Sequence, residues 1–135
     1  MRVFLDANIL FSGAQPHSPM RAFLLVLSRH AACVTNAYAL EEARRNLDLK
    51  FPATLPNLDA LVRKCELVPV LTMDFKVALN EKDPPILGGA IAGAATHLLT
   101  GDERDFGALF GQTVQGVKVV SPRMLADELV KLGWL

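Results

Sequence analysis

The chain has 135 residues, 51% of them hydrophobic, and a mean hydropathy of +0.28, enough for one domain over 1–135 with a large core. No uninterrupted apolar run approaches the roughly 20 residues of a membrane span, so no membrane partner is expected. Fourteen basic and fourteen acidic residues cancel to a formal charge of zero. That balance removes long-range attraction to a nucleic-acid backbone and leaves only local binding, for example by a negative cleft with a positive rim.

The sequence opens directly on a strand-like Arg2-Val3-Phe4-Leu5, without the charged, apolar and small-residue regions of a secretory signal, so a cytoplasmic location is expected. Short apolar runs then alternate with longer amphipathic stretches, the pattern of β-α units around a mostly parallel sheet, and an α/β fold is predicted. Ser18-Pro19 reads as an N-cap with proline in the first turn, opening a helix through about Arg29. Cys33-Val34-Thr35 is a short strand, and Asn36 caps a helix running to Leu47. Pro52 and Pro56 interrupt the pattern before a helix over 58–64. Leu67-Val68-Pro69-Val70 follows as an edge strand, because proline cannot donate to a ladder. Asp83-Pro84-Pro85 opens a helix over 86–95, then come a strand at His97-Leu98-Leu99-Thr100, a polar loop, a strand over 117–120 and a last helix after Ser121-Pro122. Cys33 and Cys65 have no histidine at zinc-site spacing and read as buried thiols. No repeat or linker interrupts the chain.

In an open parallel sheet the functional crevice lies outside the carboxyl ends of the strands. Asp6 ends the first strand there, and Asp102 follows the strand that begins at His97. Glu41 and Glu42 lie about a turn and a half into the helix after the second strand, Asp83 starts the helix before the last crossing, and Asp105 comes three residues after Asp102. Carboxylates meeting in this way repel: about 4 Å apart, two of them cost something near 4 kcal/mol at an effective dielectric of 20. A divalent cation removes the objection, and with only oxygen donors on offer Mg²⁺ or Mn²⁺ suits better than zinc or copper. Asn8 and Thr100 could orient the carboxylates or a water, and Arg44, Arg45 or Arg104 could hold the phosphates of a phosphodiester substrate.

Structural alternatives stand beside these roles. Asp83 is a good helix N-cap, Asp102 a common turn residue, and Glu41 and Glu42 with Arg44 and Arg45 can form a solvated, ion-paired helix face. For Asp6 no structural purpose is expected, since strands disfavour aspartate. His17, His30 and His97 show no ligand or nucleophile spacing, and His97 reads as a core or strand-edge residue. No Ser-His-Asp arrangement, phosphate-cradling glycine loop or dinucleotide fingerprint is present.

Three segments carry a family resemblance: Val3-Phe4-Leu5-Asp6-Ala7-Asn8-Ile9-Leu10-Phe11-Ser12, Val34-Thr35-Asn36 through Glu42 and Leu47, and Lys82-Asp83 through Thr100-Gly101-Asp102-Glu103-Arg104-Asp105-Phe106. In that order, and over nearly the whole chain, they resemble the PIN domain. The resemblance implies a three-layer α/β/α fold and a Mg²⁺- or Mn²⁺-dependent endoribonuclease. Its acidic set would be Asp6, Glu42, Asp83 and Asp102, with Asp105 a further member. Glu42 is preferred over Glu41 because it keeps the family's five-residue step to Leu47. Metal binding would fall to Asp6, Asp83 and Asp102, with Glu42 and Asp105 completing the site or orienting water. Phe106, Gly107, Phe110, Gly116 and Ser121-Pro122 are similar to a group of bacterial stand-alone members of the toxin type, which implies RNA as substrate and a cognate antitoxin as partner. The apolar composition adds a homodimer to the expectations. Two other readings remain: a non-catalytic binding module, and a phosphatase with Asp6 as nucleophile. The second lacks the usual general acid two residues on, where Asn8 stands.

Overall fold

The computed structural model describes residues 1–71 and 83–135. Six strands among them form one sheet in the order β3-β2-β1-β4-β6-β5. The strands are β1 (Arg2–Leu5), β2 (Ala32–Asn36), β3 (Glu66–Val68), β4 (His97–Leu99), β5 (Thr113–Val114) and β6 (Val117–Val120). Every neighbouring pair is parallel except β5 with β6. Helices cover both faces, giving the predicted three-layer α/β architecture with a mostly parallel central sheet.

Central strands in such a sheet are buried on both sides and therefore read as unbroken apolar runs. Val3, Phe4 and Leu5 of β1 are wholly buried, as are Leu98 and Leu99 of the neighbouring β4. β1 pairs Val3 with Cys33 of β2 on one side and with His97 of β4 on the other. The chain thus leaves β1 toward β2 and β3, then returns across the sheet to β4. The order reverses between β1 and β4, and a crevice opens at their carboxyl ends.

The helices are α1 (Ala7–Ala14), α2 (Pro19–His30), α3 (Ala37–Lys50), α4 (Leu55–Val62), α5 (Asp83–Ala92), α6 (Glu103–Phe106) and α7 (Pro122–Lys131). Three predicted caps are in place: the side chains of Ser18, Asn36 and Ser121 accept the backbone N–H of Arg21, Ala39 and Met124. Other features differ from the sequence reading. α1 begins immediately after β1, where no helix is predicted. α4 starts at Leu55 because Pro56 is tolerated in a first turn, and it ends at Val62. β3 lies at the sheet edge as expected but stops before Pro69. α5 ends at Ala92, short of the predicted 95, where Ala94 takes a left-handed φ of 52° and the Ala95 N–H reaches the Ala90 carbonyl. The predicted polar loop after Thr100 contains α6 and a 3₁₀ turn over Gly107–Leu109, which bury Phe106 and Leu109.

Gly89 lets α5 lie close against the sheet. A Cβ there would meet the Asn36 side-chain nitrogen and stand 3.0 Å from the Phe4 ring. The same Asn36 amide donates to the Pro85 carbonyl at 3.1 Å, tying the start of α3 to the first turn of α5. Both helices are thereby held beside the crevice.

Candidate functional site

Asp6 is the hinge between β1 and α1. Its N–H still donates to the Leu99 carbonyl of β4 at 3.1 Å, while its carbonyl accepts from Ile9 and Leu10 and its Oδ1 accepts the Ala7 N–H at 2.6 Å. Asp6 therefore caps a helix, a structural role the sequence reading denied it. The capping depends on α1, whose eight residues begin directly after Asp6 and carry no separate start signal, so in the sequence Asp6 has the look of a strand end.

The other carboxylate oxygen joins the two strand ends. Oδ2 accepts the Thr100 hydroxyl at 2.8 Å and the Asn8 amide at 3.1 Å. Thr100 Oγ1 in turn accepts the Asp102 N–H at 3.1 Å, and Asn8 Oδ1 accepts the Gly101 N–H at 2.8 Å. Asp102 caps the next short helix, its Oδ1 accepting the Asp105 N–H at 3.0 Å. Asn8 and Thr100 thus hold Asp6, and they also fix the loop that carries Asp102. Asp6 is only 5% exposed. Burial pushes its carboxyl up to about 6; hydrogen bonds from Thr100, Ala7 and Asn8 oppose the rise, and the nearby Glu42 charge adds to it.

α3 supplies the facing wall. Ala39, Ala43 and Leu47 are buried, while Glu42, Asn46 and Lys50, four residues apart, line the cleft. Glu41 is exposed. The cleft, about 240 Å³, is lined by Asp6, Asn8, Phe11, Glu42, Asn46, Lys50, Ile86, Asp102 and Asp105 among others. Four carboxylates from β1, α3 and the β4–α6 segment therefore share one cavity at the point where the strand order reverses. Asp83 is the first residue of α5, three before the lining Ile86; its side chain lies outside the described residues.

Among the described residues, no group of three or more His, Cys, Asp or Glu side chains is placed so that it could hold a metal ion. The cleft is an open array of hard oxygen donors. Such an array fits Mg²⁺, which keeps several waters and takes only one or two carboxylates, better than an ion that demands a closed protein cage.

The fold has a counterpart among solved structures. A chain in the crystal structure of VapBC2 from Rickettsia felis bound to a DNA fragment from their promoter matches 90% of this chain and 98% of its own, with a TM-score of 0.63 and 17% sequence identity. At that identity the likeness establishes the fold alone. No family model matches the sequence, and no curated protein does.

The remaining candidates lie elsewhere. Arg44 pairs with Asp59 at 2.8 Å on the outer side of α3, and neither Arg45 nor Arg104, both exposed, lines the cleft. The basic residue that does line it is Lys50, which sequence reasoning passed over along with Asn46 and Phe11. The four-residue step from Glu42 was the available signal. His97 is buried, its Nδ1 2.8 Å from Thr96 Oγ1 and its Nε2 3.1 Å from Glu128 Oε1, a structural arrangement. Cys33 is buried and Cys65 half-buried, against the expectation that both would be buried. Burial pushes these thiols up to about 11 and about 12, so neither supplies a thiolate nucleophile near neutral pH. No helix of the described residues is long and apolar enough to cross a membrane.

Proposed function

We propose that this chain is a divalent-metal-dependent endoribonuclease of the PIN type that hydrolyses RNA phosphodiester bonds. The observation that carries the reading is the gathering of Asp6, Glu42, Asp102 and Asp105 on one cleft at the carboxyl edge of a parallel sheet. Asp6, Asp83 and Asp102 would hold Mg²⁺ or Mn²⁺, with Glu42 and Asp105 completing the site or orienting the attacking water. When bound, the cation supplies Lewis-acid activation of water and offsets charge developing at phosphorus. The protein's own task is positioning. Thr100 and Asn8 fix one oxygen of Asp6 and the Ala7 N–H fixes the other, so the carboxylate keeps its orientation as charge develops. The opposing Glu42 charge and the burial of Asp6 make an ionised pair unfavourable without a cation, which favours taking one up.

The biological setting we infer is a cytoplasmic toxin with a cognate antitoxin chain, supported by the fold shared with a chain of the VapBC2 structure and by the sequence resemblance. A homodimer belongs to the same reading. The phosphatase alternative is weakened further: Asn8 is committed through both ends of its amide, to Asp6 and to Gly101, and has no proton to exchange. A non-catalytic binding module is favoured by one observation, that Asp6 and Asp102 each cap a helix.

Cleavage of mixed tRNA, rRNA and DNA in Mg²⁺, Mn²⁺ or chelator separates the readings. Metal-dependent RNA cleavage is expected, abolished by chelator and reduced by at least about 100-fold in Asp6→Asn and Asp102→Asn. Asparagine is itself a good N-cap, so both variants should keep their fold. Wild-type protein that leaves every RNA intact with either metal, or variants as active as wild type, would put the binding module ahead.

A further inference from the structure

We propose that Lys50, Phe11 and Phe51 form a subsite for nucleotides next to the scissile bond, in which Lys50 holds a neighbouring phosphate of single-stranded RNA and the phenyl rings receive an unstacked base. The identity of the polymer rests on the nuclease reading above; the subsite itself is argued from its own geometry.

Lys50 is the basic side chain among the described residues lining an otherwise acidic cleft. Within the described residues it forms no ion pair. Its Nζ stands 5.7 Å from the centroid of the Phe11 ring, so the ammonium is steered by a π-face that leaves its charge uncancelled. Lys50 lies eight residues beyond Glu42 on α3, about 12 Å along the helix axis. At that spacing it lies two turns from Glu42 at the far end of the α3 wall, and its natural contact is with a phosphate further along the strand.

The aromatic half adjoins it. Phe51 follows Lys50 directly, and its backbone is fixed as the C-cap of α3, the N–H donating to the Leu47 carbonyl at 2.7 Å. Its ring centroid is 6.0 Å from that of Phe11, tilted by 55°, yet the residue is 48% exposed. A half-exposed phenyl ring, next in the chain to a lysine that lines an acidic cleft and paired with a second ring that lines it, matches the stacking platform and cation that hold single strands without hydrogen-bond readout. A duplex keeps its bases stacked and offers the rings nothing.

The test is fluorescence anisotropy of a labelled single-stranded oligo-uridine RNA and of a fully paired RNA hairpin of equal length. Ca²⁺ replaces Mg²⁺, and intact probe is checked on a denaturing gel. Wild type should prefer the single strand. Lys50→Met should weaken binding at least about fivefold and lower the slope of log Kd against log salt by about 0.7, the loss of one single-strand phosphate contact. Lys50→Arg should restore most of the affinity. Phe51→Ala should weaken binding by about fivefold or more, as loss of one stacked base does. Phe51→Leu, which keeps the apolar packing on Phe11, should weaken it similarly. In cleavage assays these variants should raise KM more than they lower kcat. Wild type that does not bind the single strand, or variants that bind it as wild type does, would overturn the subsite. Wild type that binds with these variant effects, yet cleaves nothing with Mg²⁺ or Mn²⁺, would support the subsite and sink the nuclease reading.

Discussion

At the residue scale, Asp6 holds two roles that compete. As a cap and hydrogen-bond acceptor it is well satisfied, but burial raises its carboxyl to about 6, above the roughly 3.9 of an unfolded chain. The folded state therefore binds more protons than the unfolded state between about pH 4 and 6. Across that window stability falls as pH rises, and the loss is complete above the folded value, on the order of 3 kcal/mol. In chelator, the melting temperature of wild type should decline from pH 4 to pH 7 more steeply than that of Asp6→Asn; parallel profiles would contradict the assignment. Thr100→Val removes the hydroxyl that donates to Asp6 Oδ2 and should cost about 1–3 kcal/mol at pH 7, read by denaturant unfolding. Asp6 stood out in the sequence because aspartate at a strand end lacks an obvious local purpose, whereas Asp102 and Glu42 each had an ordinary local role and drew notice only together with it. The capping that Asp6 performs was not legible there, since it depends on the chain turning at once into α1. Lys50 was hidden for another reason: its place in the cleft is a matter of helix phase, and Glu42, Asn46 and Lys50 share a face only once α3 is seen to run to its full length.

At the element scale, the longer helices announced themselves through local chemistry. Ser18, Asn36 and Ser121 stand just before helices and cap them with their side chains, an arrangement that needs no distant partner. α1 and α6 escaped because they are short, with eight and four residues, and their apolar content reads equally well as strand or loop. Ala92 ends α5 through a left-handed residue that is an alanine, so the usual glycine signal is missing at that position. Gly89 tests how α5 is seated. Alanine is the better helix former, yet at this position its methyl would push into the Asn36 amide and the Phe4 ring, disturbing both the α3 cap and the sheet core. Gly89→Ala should destabilise by about 1–3 kcal/mol in urea unfolding, overpacking outweighing the propensity gain of about 1 kcal/mol. A variant as stable as wild type or more so would show that α5 sits more loosely than the geometry indicates.

At the scale of the whole molecule, alternation of apolar runs and amphipathic stretches was enough to foresee a mostly parallel sheet, but not its order. Which strands flank β1 is decided by long-range packing, and that order places the crevice between β1 and β4, bringing Asp6 and Asp102 to one cavity. Within the zero net charge there is a local imbalance: four carboxylates line the cleft against one basic residue, Lys50, among the described residues. A molecule so arranged should be stabilised by a small hard cation at neutral pH and less so by monovalent salt, because only a localised double charge relieves the burial of ionised Asp6.

Whether these separated acids make one cation site is decided by titrating metal-free protein with Mn²⁺ at pH 7 and following the loss of the free-ion EPR signal. Saturable binding is predicted for wild type, weakened at least about tenfold in Asp6→Asn and in Asp102→Asn, as loss of a ligand or its support does. Binding that is absent in wild type, or unchanged in both variants, would contradict a shared cation site.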